Sequence, residues 1–406
     1  MAVVPDRREV ERWDREDPLG RLREQFVIPD DRLVYLDGNS LGRPTRASVE
    51  AVRRALEEEW GAGLIGSWER EWLALPESVG DLIGTRLLGA RPGEVVVADS
   101  TTVNLARLLR GAARARADRT VVVVEEDNFP TDHYLVQELA ADEGMAVRVV
   151  PAHIDHGAAP EAMAAALDAD VAVACFSHVA YRSGARADMA AVTAAAHAAG
   201  ALVVWDLSHS AGALPVDLEG SGADLAVGCT YKYLNGGPGA PAFLYVRASL
   251  QDRLAVPVWG WFAQQDRFEM ATPFLRRPGI GGFVVGTPPV LALRSVEASV
   301  GVLAGAGLEA LGRKSRRLSE LAVALLDAWL APLGAALASP RPASRRGSHL
   351  TVAHPRAREL RAALARSGIV TDYRSPERLR LGLAPATTRF TDVWDVFAAL
   401  RQLCAR

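Results

Sequence analysis

Between residues 95 and 246 the chain alternates short β-branched runs with alanine-rich stretches, and this alternation restricts the fold more than any other feature. The runs are Val95-Val96-Val97, Val121 to Val124, Val171 to Phe176, Ala201-Leu202-Val203-Val204-Trp205, Leu225 to Gly228 and Phe243 to Val246. The spacing predicts a helix over Leu105 to Ala115 and another over Ala187 to Ala199, the latter stopped by Gly200. Continuous apolar strands separated by helices are the signature of βαβ units, in which helices cover both faces of a mainly parallel sheet. Such sheets bind ligands beyond the carboxyl ends of their strands, so the residues just after each run carry the functional interest.

From about Val290 the pattern changes to long stretches rich in Leu, Ala and Arg, interrupted by a Pro/Ser/Arg-rich patch at Ser339 to Ser348. Two short β-like pieces follow, Leu350-Thr351-Val352 and Leu379-Arg380-Leu381. The reading is an α/β chain in three parts. Residues 1–60 pack with the small domain, residues 61–289 form the large domain, and residues 290–406 form a smaller α+β domain. The net charge of -3 gives no basic face for nucleic acid. No run of eighteen apolar residues is present, so no membrane span is expected. Cys175, Cys229 and Cys404 are odd in number and far apart, which argues against a disulfide framework and against a clustered cysteine metal site. A reduced, cytoplasmic setting is the expectation, with no metal.

Of the 46 lysines and arginines only Lys232 and Lys314 are lysine. Lys314 lies in the charged stretch Arg313-Lys314-Ser315-Arg316-Arg317, where arginine would serve equally well. Lys232 sits between two tyrosines just after an apolar run, in Thr230-Tyr231-Lys232-Tyr233-Leu234-Asn235. A guanidinium cannot form a Schiff base with an aldehyde, whereas a desolvated amine can. Three other features fall at strand ends. Asp206 closes the Val203-Val204-Trp205 run, Thr101-Thr102 open the helix after Val97, and Phe129 follows the four-valine strand. Together they are the parts of a pyridoxal 5'-phosphate site. The lysine holds the aldehyde, the carboxylate keeps the pyridine nitrogen protonated, the helix N-terminus takes the phosphate, and the aromatic ring stacks. Each part alone has a bland reading: a strand-end Asp caps a turn, Thr101-Thr102 starts a helix, Phe129 is core, and His209 is a satisfied core histidine.

At these residues the sequence resembles the kynureninase family of pyridoxal-phosphate enzymes. The matching segments are Tyr35 to Gly42 (YLDGNSLG), Asn128 to Asp132 (NFPTD), Asp206 to His209 (DLSH), Tyr231 to Asn235 (YKYLN), Gly286 to Pro289 (GTPP) and Arg389 to Trp394 (RFTDVW), spread along nearly the whole chain. The resemblance implies fold type I, the aspartate-aminotransferase fold, with a seven-stranded sheet in the large domain. It implies that Lys232 holds the cofactor, Asp206 pairs with the pyridinium, Phe129 stacks, and Asp132 and His209 line the same pocket. Thr101, Thr102, Ser177 and Tyr231 would surround the phosphate. Arg380 would grip the substrate carboxylate with its bidentate fork, Asn39 and Ser40 would touch substrate, and Trp68 would shape the space for the aryl ring. Trp261 and Thr287 match positions contributed by the second subunit, which implies a homodimer with shared sites.

The implied activity is hydrolysis of L-kynurenine to anthranilate and L-alanine in tryptophan catabolism. Lys232 would move the α-proton and Tyr231 would deliver a proton later. Trp68 with Thr287 favours the unsubstituted ring over 3-hydroxykynurenine. The chain departs from the family at Ala180, in place of asparagine, at Ala263-Gln264, and at Ala386-Thr387, which leaves a ring-modified substrate open. Another member of the class V aminotransferase-like group is the further alternative. A desulfurase would need a cysteine on a mobile loop, and Cys175 and Cys229 lie in or beside strand runs. A catalytically dead binding subunit is opposed by intact Lys232, Asp206 and Phe129.

Overall fold

A computed structural model describes residues 4–406; residues 1–3 of the expected N-terminal segment lie outside the described residues. Seven strands form the central sheet: β1 Val95–Val97, β2 Val121–Glu125, β3 Ala146–Val150, β4 Val171–Ser177, β5 Leu202–Asp206, β6 Leu225–Gly228 and β7 Phe243–Val246. Their spatial order is β1-β7-β6-β5-β4-β2-β3. Pairings from β3 through β6 are parallel, and β7 runs antiparallel to both its neighbours.

The sequence explains why this sheet is covered on both sides. In β2, Val121 and Val123 face one hydrophobic core while Val122 and Val124 face the other. Successive side chains of a strand alternate faces, so a strand that is apolar throughout must be buried twice. Each fully buried valine contributes roughly 1.5–3 kcal/mol over leaving it exposed. The edge strand β3 is different: most of it is exposed or half-buried, and Arg148 lies within it.

A four-stranded antiparallel sheet carries the C-terminal region: β8 Ala336–Leu337, β9 His349–Ala353, β10 Asp372–Arg374 and β11 Arg378–Gly382, in the order β8-β9-β11-β10. It has its own core, built from Leu318, Leu350, Leu381, Phe390 and Phe397 among others, to which Val10, Val34 and Leu36 also belong. Other N-terminal residues, Leu19, Leu22 and Phe26, join the core beneath the large sheet. So do Leu293, Val296, Val300 and Leu303 of the helix Val290–Ala306. No single helix among the described residues is long and apolar enough to cross a membrane.

Lys314, which the sequence marks only as one cation in a charged stretch, is not at the surface. It is buried, and its Nζ lies 2.7 Å from a buried Asp17 carboxylate oxygen. The charged stretch around it is one turn of the helix Leu308–Leu325, whose inner face carries Leu311, Gly312, Ser315 and Leu318 as well. Spacing along a helix, not the local density of charge, decides which of its cations is buried.

Candidate active site

The large sheet brings the ends of β2, β4 and β5 side by side, with Ser177 of β4 in register with Asp206 of β5. Just beyond these ends lies a cavity of about 240 Å³ lined by residues from seven separate stretches of chain. Lys232 enters it from the loop after β6, and Asp206 forms part of its wall at 7% exposure. Asp206 Oδ1 accepts the Ser208 backbone N–H at 2.8 Å. Lys232 Nζ lies 3.3 Å from His209 Nε2, and no carboxylate among the described residues comes within ion-pair distance of it. Burial, with the lysine charge next, pushes the His209 pKa well below its ordinary value. The ring is therefore neutral at physiological pH and can accept from the amine.

Thr101 and Thr102 begin the helix Thr101–Arg114. Ser100 caps it by accepting the Val103 N–H at 3.3 Å, so the preceding N–H groups stay free of helical partners. This is an anion site with the helix dipole behind it. Phe129 precedes the helix Pro130–Glu143 and lines the cavity although 39% of it is exposed. Its ring stands at right angles to that of Tyr181, with ring centroids 5.3 Å apart, and its ring centre lies 5.9 Å from Lys232 Nζ. Asp132, almost fully buried, has its pKa held well above the usual carboxylate range by burial, then by the Asp206 and Glu125 charges. Burial also pushes the Tyr231 phenol up, so it stays protonated at neutral pH.

The far wall comes from the C-terminal sheet and from the Tyr35–Gly42 motif. Gly382 N–H donates to Leu36 O at 2.8 Å, which ties that motif to β11 and delivers Asn39 and Ser40 to the cavity. Gly42 N–H donates to Tyr231 O at 2.8 Å, and a Cβ on Gly42 would lie 2.2 Å from Lys232 O. Only glycine lets the motif pass this close to the lysine loop. Arg380 is 1% exposed; its guanidinium donates to Ser40 Oγ at 2.9 Å, to Tyr181 O at 2.6 Å and to Asp372 Oδ2 at 2.6 Å.

The cavity thus gathers every expected site residue except Ser177, Trp68, Trp261 and Thr287. Ser177 is buried beside it, its N–H donating to Glu125 Oε1 at 3.0 Å and its hydroxyl to Asn128 Oδ1 at 3.4 Å. Trp68 packs edge-on to Trp72 at 5.3 Å. Trp261 and Thr287 are exposed and stand outside the cavity. Thr131, Tyr181, Ser208 and Arg374 also line it and were not singled out from sequence. Thr131 and Ser208 lie inside the motifs Asn128 to Asp132 and Asp206 to His209, where adjacency was the available signal. None of the three departures lines it. Ala180 and Ala386 are buried, and Gln264 accepts the Leu275 N–H at 2.7 Å, anchoring the loop between them.

The donor set fits pyridoxal phosphate. It offers an amine without a carboxylate partner, a buried carboxylate, a free helix N-terminus and an exposed aromatic face in one cavity. Both polar atoms of the buried Asn39 amide also lack partners. The sequence comparisons agree. A kynureninase of Burkholderia pseudomallei strain 1106a is 44% identical over 397 residues, covering 96% of this chain and 93% of the relative. One from Pseudomonas fluorescens is 42% identical over 400 residues, covering 97% and 94%. The chain belongs to the kynureninase family. Residues 311–400 also match the model of the kynureninase C-terminal domain. Among solved structures, the lyase C-DES with glycine linked to its PLP cofactor superposes with a TM-score of 0.82 at 18% identity, covering 93% of this chain and 98% of that one. That likeness shows the fold, type I of the PLP-dependent enzymes. Within the kynureninase family the enzyme is a PLP-dependent hydrolase.

Proposed function

We propose that the chain hydrolyses L-kynurenine at its Cβ–Cγ bond, releasing anthranilate and L-alanine, and that the residues gathered in the cavity carry the roles expected for them. The observation that carries this reading is the pairing of Lys232, whose amine has a neutral histidine and no carboxylate beside it, with a buried Arg380 across the same cavity. When bound, pyridoxal phosphate supplies the electron sink for charge that develops on substrate carbon. Asp206 would hold the ring nitrogen protonated, Thr101 and Thr102 would take the phosphate, and Phe129 would cover one ring face. Lys232 Nζ would take the proton from the substrate α-carbon, with His209 accepting from the amine and orienting it. Arg380, with Ser40 and Asn39, would fix the α-carboxylate, which sets the bond to be cut at a defined angle to the cofactor. The protonated Tyr231 hydroxyl would donate the proton needed when the three-carbon product leaves.

The division into a large domain over residues 61–289 and a small one over 290–406, with residues 1–60 packing on the small one through Val10, Val34 and Leu36 while Leu19, Leu22 and Phe26 reach the large domain's core, is part of the same proposal. The helix 290–306 would then be the link that rides on the large sheet. A homodimer completes it: Trp261 and Thr287 are exposed on one chain and would reach the site of the other. A desulfurase reading finds no support in the cysteines, since Cys175 and Cys229 are buried and Cys404 lies in the last helix.

The test mixes cofactor-loaded protein with L-kynurenine and, separately, with 3-hydroxykynurenine. Anthranilate-type fluorescence and alanine release are followed together. Release of both products, faster from the unsubstituted substrate, is the expected result. A shift of the cofactor absorption band with neither product from either substrate would refute the reading and point to a ring-modified substrate.

A further inference from the structure

The carboxylate end of the cavity holds two arginines and one aspartate in a fixed register. Asp372 stands directly opposite Arg380 in the β10–β11 ladder. Arg374 lies two residues further along β10, on the face that Asp372 occupies. One oxygen, Asp372 Oδ2, is shared: Arg380 Nη2 lies 2.6 Å from it and Arg374 Nη2 lies 2.9 Å from it. Arg374 and Arg380 both line the cavity, and the Nε of each is buried without a partner. Asp37 lies near the cluster; burial pushes its pKa up, while Ser40 and the Arg380 and Arg374 charges pull it back down.

The charge balance follows from these contacts. If Arg380 faced Asp372 alone, the pair would be neutral and would have nothing to offer an incoming anion. With Arg374 on the same oxygen, two cations share one anion and a single positive charge is left over. A desolvated cation of that kind attracts one carboxylate and disfavours a neutral amide at the same position. We propose that Arg374 is a positioning residue that sets the charge of the carboxylate subsite, holding Asp372 so that the Arg380 charge is left for the α-carboxylate of the substrate. The inference rests on the reading of Arg380 as the carboxylate partner.

The test measures binding of L-alanine and of L-alaninamide to cofactor-loaded protein, by calorimetry and by the change in the cofactor absorption band. Four proteins are compared: wild type, Arg374→Gln, Asp372→Asn with Arg374→Gln, and Arg380→Gln. Loss of a charge-assisted interaction predicts about tenfold to hundredfold weaker L-alanine binding in Arg374→Gln, with L-alaninamide changed less than about threefold. The double variant removes the unbalanced anion together with the cation and recovers L-alanine affinity to within about threefold of wild type. Rescue by removing a second side chain is not expected of a residue that merely props up the fold. Binding in Arg374→Gln within about twofold of wild type, or a double variant as weak as the single one, overturns the inference. Failure of Arg380→Gln to weaken L-alanine binding would instead remove the reading on which it rests. If Arg374→Gln does not retain cofactor, Asp372→Asn alone decides: undiminished or tighter L-alanine binding supports the charge argument, and weaker binding overturns it.

Discussion

Glu125 is a carboxylic acid at the end of β2, fully enclosed by the sheet, and burial pushes its pKa from the usual 4.5 up to about 8. The Ser177 N–H opposes that shift, while Asp127 and Asp206 add to it. In the folded chain Glu125 therefore keeps its proton up to about pH 8, whereas the unfolded chain gives it up near 4.5. Below the lower value both states are protonated and the contribution to stability is fully present. It drains away as pH rises through this window and is lost above the folded-state value. At 1.36 kcal/mol per unit, the loss across the whole window is on the order of 5 kcal/mol. Glu125→Gln keeps an oxygen to accept the Ser177 N–H and cannot ionise. The assay is urea unfolding of cofactor-free wild type and variant at about pH 5 and about pH 8.5. The variant should gain on the wild type by several kcal/mol between the two. A gap that stays constant within about 0.5 kcal/mol would show that Glu125 is not held protonated, and would refute the argument from burial.

Three further outcomes rest on the contacts above. Phe129→Ala removes an exposed stacking face worth about 0.5–1.5 kcal/mol, so cofactor dissociation constants from equilibrium dialysis should rise by about threefold to tenfold. Tyr231→Phe leaves the ring and removes the donor, so single-turnover product release should slow by about a hundredfold or more while cofactor content is unchanged; near-normal release would exclude that role. Lys314→Met strands the buried Asp17 carboxylate, and urea unfolding should show a loss of about 3–5 kcal/mol, against almost none had the lysine been a solvated surface charge.

The buried strands were legible because an apolar run covered on both faces reads the same way at every position. Val171 to Phe176 extends by one residue to Ser177, and Leu225 to Gly228 matches its strand. The edge strand Ala146–Val150 was not, since half of its surface meets water and Arg148 breaks the apolar run. Within the cavity, Lys232, Asp206 and Phe129 were found because each sits just past a recognisable strand. Arg374 in the cavity wall, and Asp372 and Glu125 behind it, were not. Their meaning arises from partners on other strands, Arg380 across one ladder and Ser177 across another, and a linear sequence does not state which strands are neighbours. Lys314 shows the same limit: its partner Asp17 is nearly three hundred residues away in the chain.

The exposed positions of Trp261 and Thr287 lead to a prediction about assembly. A single chain brings Lys232, Arg380 and the helix N-terminus into one cavity, yet leaves both of these residues outside it. Trp261 packs against Phe268, with ring centroids 6.3 Å apart, and the same segment of chain exposes Val258, Trp259, Met270 and Leu275. An apolar patch of this kind marks a surface built to be covered. If a second copy covers it in a two-fold dimer, each site draws Lys232 from one chain and Trp261 and Thr287 from the other. Two inactive variants, Lys232→Ala and the double variant Trp261→Ala with Thr287→Ala, should then rescue one another. Unfolded together and refolded, half of the dimers are mixed. Each mixed dimer holds one site with every group intact and one site with none of the three, so activity should return to about a quarter of wild type. Sites contained within one chain would give no recovery at any mixing ratio, because every site would then carry one of the two defects.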